Sequence, residues 1–334
     1  MASMIDKEVE MEILRFIRIY KDGSIDRLLG SPLVPPSPDD QDPETCVSSK
    51  DIIISQDPTI SARLYLPKLD QAHLQRLPIL VYFHGGGFFF ESAFSRDHQR
   101  FLNSLVAQAQ VVAISVEYRL APEHLLPICY EDCWAALQWV ASNSIDSTVG
   151  TNYREPWLSH GDFKRFFIGG DSAGANIVHN MAMRAGVESL PGDVKIVGAF
   201  LNHPYFWSSN AISDLSEMGQ LRASHVDELA LPSLVWNFVY PSAPGGIDNP
   251  MINPTAPGAP SLAGLGCSRL LVTVAEMDVM RNRALAYYDA VQKSNWEGEV
   301  ELVRVDGEDH AFQILNLDTQ NAKNLVKRLA SFLN

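Results

Sequence analysis

From residue 78 onward the chain alternates two kinds of segment. Near-continuous apolar runs, PILVYFHG (78–85), QVVAISVEYR (110–119), RFFIGG (165–170), KIVGAFLNHP (195–204), RLLVTVAE (269–276) and EVELVRV (299–305), alternate with stretches of helical periodicity. The helical stretches include Glu131–Ala141, Ala175–Ala185, Arg281–Gln292 and Thr319–Phe332. A strand that is apolar at nearly every position must be covered on both faces. A strand–helix repeat supplies that cover when the strands run parallel. The pattern therefore predicts an α/β fold with a mostly parallel central sheet flanked by helices. Two earlier runs, DIIIS (51–55) and ISARLYLP (60–67), precede any helix and fit an antiparallel edge.

The rhythm lapses in two places. Residues 15–30, RFIRIYKDGSIDRLLG, set Asp22-Gly23 between alternating apolar runs, which signals a hairpin. A Pro- and Asp-rich loop follows at 31–45. Between 206 and 248 the sequence becomes helical and aromatic-rich, and it reads as a cap over the strand ends. The N-terminal residues 1–30 are expected to pack beside it, giving a helical cap built from both pieces on a single domain spanning 1–334.

Composition excludes several classes. Forty acidic residues against 26 basic ones leave a net charge of −14, without the clustered Lys and Arg that nucleic acid or an anionic membrane surface requires. No stretch approaches the roughly 18 apolar residues of a membrane span. The N-terminus is broken by charges and lacks a secretory signal's apolar region. Cys129 and Cys133 stand four apart with no second Cys or His pair at zinc spacing, so they read as core residues rather than metal ligands. The tripeptide Asn253-Pro254-Thr255 is blocked as a glycosylation sequon by its proline. These features favour a reducing, cytoplasmic location; neither metal nor organic cofactor is expected, and the sequence leaves monomer or homodimer open.

The chemistry concentrates in three motifs. GGDSAG (169–174) follows a strand-like run and opens a helix-like one, so Gly170-Asp171-Ser172-Ala173-Gly174 is a G-x-S-x-G match in strand–turn–helix context. That turn would project Ser172 Oγ from the top of the sheet, with a helix N-terminus behind it. A serine at such a turn can equally be a plain N-cap. What raises Ser172 above that reading is the presence of partners in the order this sheet requires. Asp278 lies just past RLLVTV, and His310 lies in the loop past EVELVRV. Both sit at carboxyl ends of strands, where an open α/β sheet builds its site. Taken singly, Asp278 would pass for a helix cap and His310 for a surface histidine. Glu276 and Asp309 are nearby carboxylates in less suitable positions.

HGGG (84–87) directly after ILVYF supplies the third component. Gly86 and Gly87 can turn their amides toward a substrate oxygen, and Ala173 N–H can join them as an oxyanion hole. His84 is expected to orient that loop through hydrogen bonds rather than act as a base.

The motifs His84-Gly85-Gly86-Gly87, Glu117-Tyr118-Arg119-Leu120-Ala121-Pro122-Glu123-His124, Gly170-Asp171-Ser172-Ala173-Gly174, Asp278 and His310 resemble those of plant carboxylesterases in the hormone-sensitive-lipase branch of the α/β-hydrolases. The resemblance runs through nearly the whole chain from about residue 12. It implies an α/β-hydrolase fold, with Ser172 as nucleophile, His310 as general base and acid, Asp278 as its orienter, and Gly86, Gly87 and Ala173 as oxyanion hole. It also implies a structural role for the run Tyr118–Glu123 beneath the site. YKDGSIDRLLG, GGGFFFESAF, PGGIDNP, APGAPSLA and EDHAFQ are similar to 2-hydroxyisoflavanone dehydratases. SVEYRLAPEHLLP and DNPMINPTA are similar to hydrolase-like cyclases of plant indole alkaloid pathways. Those dehydratases typically carry Thr at the position of Ser172. The cyclases, like gibberellin receptors of the same fold, often lack the terminal His.

Retention of both Ser172 and His310 favours a serine carboxylesterase of plant specialised metabolism, acting on small to medium apolar esters or lactones. Phe88, Phe89, Phe90, Phe206, Trp207, Trp236 and Phe238 are expected as its apolar walls. Two alternatives stay open: an elimination or cyclisation enzyme using the same oxyanion hole and base, and a small-molecule receptor without turnover.

Overall fold

The computed structural model describes residues 7–13, 16–37, 42–69, 75–145, 154–210 and 226–334. Three short N-terminal strands, β1 (Val9–Ile13), β2 (Ile17–Tyr20) and β3 (Ile25–Arg27), form a separate antiparallel sheet. The hairpin expected at Asp22-Gly23 is present: Gly23 adopts a left-handed φ of 80° and Tyr20 N–H donates to Ser24 O at 3.0 Å. The N-terminal contribution to the cap is thus a β-meander where a helical cap was expected. The physical reason lies in β-branched Ile13, Ile17, Ile19 and Ile25 flanking an Asp-Gly turn, a pattern that favours pleated pairing.

The main sheet holds β4 (Ser48–Gln56), β5 (Thr59–Leu66), β6 (Leu77–Phe83), β7 (Val112–Glu117), β8 (Gly161–Asp171), β9 (Ile196–Asn202), β10 (Cys267–Ala275) and β11 (Glu299–Val305). Their spatial order is β11-β10-β9-β8-β6-β7-β5-β4. Pairings from β7 through β11 are parallel, whereas β4 and β5 pair antiparallel with each other and β5 pairs antiparallel with β7. The antiparallel edge is where the helix-free early runs placed it.

The described α-helices are α1 (Arg96–Ala109), α2 (Ile128–Ser142), α3 (Ala173–Ala185), α4 (Val226–Val239), α5 (Arg281–Lys293), the single turn α6 (Phe312–Leu315) and α7 (Gln320–Phe332). The period-2 alternation of strand side chains divides β6 between two cores. Ile79, Val81 and Phe83 pack with Trp134 and Leu137 of α2, Ile177 and Val178 of α3 and Tyr287 of α5. Leu80 and Tyr82 face the other way, against Phe101 and Leu105 of α1 and Leu325 and Leu329 of α7. Each side of the sheet is covered, which is why its strands carry so few polar residues. Cys129 and Cys133 lie buried in the first of these cores, where burial pushes both thiols well above their usual range.

Helix α1 was not among the helices expected from sequence. Its buried residues His98, Phe101, Leu102, Leu105, Val106 and Ala109 nevertheless follow the 3,4 spacing of an amphipathic helix. In the expected insertion, α4 is helical as anticipated, while residues 211–225 lie outside the described residues.

Arg27 makes the polar contacts that dock the N-terminal sheet. Arg27 Nε donates to Phe89 O at 2.7 Å, and Nη2 donates to Ala121 O at 3.1 Å. Its guanidinium also pairs with both Glu123 oxygens, at 3.0 and 2.6 Å. Phe16 adds ring contacts to Phe89 and Phe90. Arg27→Ala is expected to weaken this docking by about 1–3 kcal/mol, because it removes charge-assisted hydrogen bonds and little core. Hydrogen exchange should show faster amides in β1–β3 and unchanged protection in β6–β10.

Candidate active site

Ser172 alone makes the turn between β8 and α3. Its backbone is held at φ 52° and ψ −115°, a strained conformation for a non-glycine residue, of the order of 1–3 kcal/mol. The turn is fixed from several sides: Ser172 N–H donates to Asn202 O at 2.9 Å, and Ser172 O accepts from Tyr205 N–H and Asn176 N–H at 3.0 Å each. The flanking glycines are sterically required. A Cβ on Gly174 would lie 1.9 Å from Phe83 O, and one on Gly170 would lie 2.5 Å from the Gly174 carbonyl carbon. Without side chains there, the end of β6 can approach the turn.

The structure brings the three expected residues together. His310 Nε2 lies 2.8 Å from Ser172 Oγ, and His310 Nδ1 lies 2.8 Å from Asp278 Oδ2. An ionised carboxylate can only accept, so Nδ1 carries the proton and Nε2 is left to accept from the Ser172 hydroxyl. Asp278 is buried, and its other oxygen accepts Met280 N–H at 2.8 Å. Burial alone would raise Asp278, but His310 outweighs it and holds the carboxyl below its usual range. Burial likewise would depress His310, and the Asp278 charge overrides it, leaving the imidazole raised above its ordinary value. Neither competing carboxylate bonds to the imidazole ring. Asp309 accepts the backbone N–H of His310 at 2.6 Å, and Glu276 accepts Gly307 N–H at 2.8 Å. Both shape the loops that carry Asp278 and His310.

The glycine loop leaves β6 beside the serine. Gly86 and Gly87 have φ of 98° and 59°, and a Cβ on Gly86 would lie 2.0 Å from Phe90 O. Gly86 O accepts from Phe89 N–H and Phe90 N–H at 3.0 Å each, closing the turn. Among the described residues, no group accepts the amide N–H of Gly86, Gly87 or Ala173. Gly86, Gly87 and Ser172 line the same cavity. His84 is fully buried beneath the loop, donates through Nδ1 to Gly85 O at 2.8 Å and stacks on Tyr118 at 4.3 Å. Burial lowers its pKa to about 4, so it is a neutral strut. Tyr118 hydroxyl donates to His84 O at 2.7 Å, and Arg119 N–H donates to buried Asp132 at 3.0 Å.

The cavity over Ser172 measures about 590 Å3 and also holds Asp278 and His310. Among the aromatics expected as walls, Phe89 and Phe90 line it. Phe88, Phe206, Trp207 and Trp236 do not line it and lie buried in the core. The left-handed backbone of Phe88 (φ 68°) accompanies a ring packed among Tyr130, Tyr205 and Trp236. Phe206 packs on His179 and Tyr287, and Phe238 makes an edge-on contact with the Phe89 ring. Large aromatics gain most by full burial, and that outcome prevails at Phe88, Phe206, Trp207 and Trp236, while Phe238 is partly buried. The missing walls come from Phe16, Leu29, Pro32, Val235, Met280 and Ile314. Met280 and Ile314 follow Asp278 and His310 closely in sequence and were within reach of that signal; Phe16 arrives only through docking of the N-terminal sheet. A second cleft of about 710 Å3 lies across the segment Leu29–Pro32, beside Arg27, Glu117 and Glu123, and contains none of Ser172, Asp278 or His310.

Comparison to known proteins agrees with the fold. A family model described as alpha/beta hydrolase fold matches residues 80–314, and the chain belongs to that family. It is 55% identical to a 2-hydroxyisoflavanone dehydratase of Glycyrrhiza echinata, covering 99% of this chain and 98% of the relative. It is 42% identical to "Probable carboxylesterase 7" of Arabidopsis thaliana, covering 99% and 100%. Among solved structures, a hyperthermophilic esterase from Pyrobaculum calidifontis superposes with a TM-score of 0.66 at 26% identity, covering 85% of this chain and 82% of that one.

Gly174→Ala is expected to lower stability by about 1–3 kcal/mol, because its methyl group must push β6 away from the turn. Gly264→Ala, whose nearest neighbour would be 3.7 Å away, serves as control and should stay within about 0.5 kcal/mol in urea titration.

Proposed function

We propose that the protein is a serine carboxylesterase acting on small to medium apolar esters or lactones of plant specialised metabolism, through an acyl-enzyme. The observation that carries this reading is the Asp278–His310–Ser172 chain, with 2.8 Å at each link, opening into an apolar cavity beside two unengaged glycine amides. Ser172 Oγ attacks the ester carbonyl while His310 Nε2 takes its proton, and Asp278 stabilises the imidazolium that forms. Amides of Gly86, Gly87 and Ala173 receive the oxyanion, each contributing about 3 kcal/mol. His310 returns the proton to the leaving alkoxide, and a water activated by the same imidazole then releases the acid. None of these steps calls for a metal or organic cofactor, and the partner is the small molecule itself.

A second reading has a specific support, the 55% identity to a dehydratase. In it the same amides hold a ketone oxygen, and His310 removes a proton from the adjacent carbon so that water is eliminated. Ser172→Ala and Ser172→Thr separate the two. Ester turnover should fall by on the order of 10⁴-fold or more in both variants. Elimination from a 2-hydroxyisoflavanone should continue at a substantial rate in the threonine variant. A fluorophosphonate is expected to label Ser172 in the wild-type protein, and absence of that label would sink the esterase reading.

The pH profile provides a further test. His310 acts as base only when neutral, and its pKa is raised. Activity should therefore be lost as pH falls through a midpoint above the ordinary imidazole value of 6.5. Asp278→Asn should move that midpoint down while kcat drops.

A further inference from the structure

The cavity over Ser172 is also lined by a largely buried polar set, Glu91, His98 and Asp171, that the proposed reaction does not use. His98 of α1 sits between two carboxylates, with Nδ1 3.5 Å from Glu91 Oε2 and Nε2 3.4 Å from Asp171 Oδ1. Asp171 Oδ1 accepts Gly85 N–H at 3.0 Å and the Tyr82 hydroxyl at 2.5 Å. The Asp171 carboxylate also fills the space beside Gly85, where a Cβ would meet Oδ2 at 2.3 Å. On the other side, Glu91 Oε1 accepts Ser31 N–H at 2.8 Å, in the segment that walls the substrate cavity. Glu91 holds a left-handed φ of 65° to make that reach. A continuous chain of contacts thus runs from the cavity wall through Glu91, His98 and Asp171 to the residue before Gly86 and Gly87.

Two carboxylates at this depth would repel each other and lose solvation unless a cation stood between them. We propose that His98 is a positioning residue of the active site: clamped between Glu91 and Asp171, it fixes the oxyanion loop and ties it to the substrate wall at Ser31. This assignment rests on the esterase reading above. Electrostatics agree with it. Burial would depress His98, but Asp171 and Glu91 outweigh it and raise its pKa to about 10, while Glu91 is held down at about 2. The other groups facing His98 are Glu117 of β7, Tyr82 of β6 and the neutral His84 ring at 5.6 Å; Arg96 and Asp97 precede it on α1. Among these nearest groups, His98 is the cation that buried Asp171 and partly buried Glu91 share.

The test uses the full-length protein, a p-nitrophenyl butyrate assay and an arylboronic acid as a mimic of the tetrahedral oxyanion. In H98Q, kcat should fall about 10–100-fold and the boronate Ki should rise in step, while KM stays within about twofold. A general loss of packing would instead lower the melting temperature without raising Ki in the protein that remains folded. Wild-type kcat should also decline near pH 10 while circular dichroism remains native, and H98Q should lack that limb. An unchanged Ki in folded H98Q overturns the inference. Should H98Q not fold, E91Q carries the test. It is expected to raise Ki at least about threefold with KM held, and an unchanged Ki overturns the assignment. Wild-type protein that neither binds the boronate nor labels at Ser172 fails the esterase reading itself, which separates the two outcomes.

Discussion

Everything around the site depends on how closely the end of β6 approaches the turn at Ser172. The Phe83 carbonyl occupies the space where a Gly174 side chain would begin, and Asp171 does the same beside Gly85. Because these backbones touch, the strand that ends in the glycine loop and the strand that ends in the serine share one rigid corner. Parallel pairing of β6 with β8 brings them side by side, Phe83 opposite Gly170. The corner sets the distance between the nucleophile and the amides that would receive an oxyanion. A shift of even an ångström there would cost more than most changes to the cavity walls.

Asp278 and His310 belong to the same logic two and three strands beyond β8. Each leaves the carboxyl end of its own strand, β10 or β11, and the two strands pair in parallel register, Ala275 opposite Val305. The loops are then tied together by Glu276 on Gly307, which keeps the imidazole over the serine. Left-handed backbone at Ser172, His203 and Ala311 marks where the chain is bent to complete the arrangement. Ala311 N–H reaches His203 Nδ1 at 3.3 Å, which braces the histidine loop from β9. Strain gathered in this way is tolerated because the surrounding sheet over-determines it.

The cavity shows a different division. Its chemistry comes from strand ends, but its shape comes from parts distant in sequence: the N-terminal meander, α4 and the residues just after Asp278 and His310. Arg27 couples the first of these to the loop itself by bonding Phe89 O, so the wall and the oxyanion turn are not independent. Relatives that share the fold can therefore differ in substrate by changing the meander or the cap while the corner stays intact.

Much of this was legible in the residues. Apolar strands alternating with helices dictated a parallel sheet, because a strand without polar positions has to be covered on both faces. The glycines at 86, 87, 170 and 174 are a local signal, since only a missing Cβ permits those close approaches. Order along the chain picked out Asp278 and His310 because the topology delivers them to the same sheet end. Tertiary structure decided the rest. Nothing in a Phe or Trp codon distinguishes a core ring from a pocket wall. Phe88, Phe206, Trp207 and Trp236 went to the core, and Phe16 was carried to the cavity by docking of a separate sheet. Burial is a property of what surrounds a side chain, and for these residues the surroundings are assembled from remote parts of the chain.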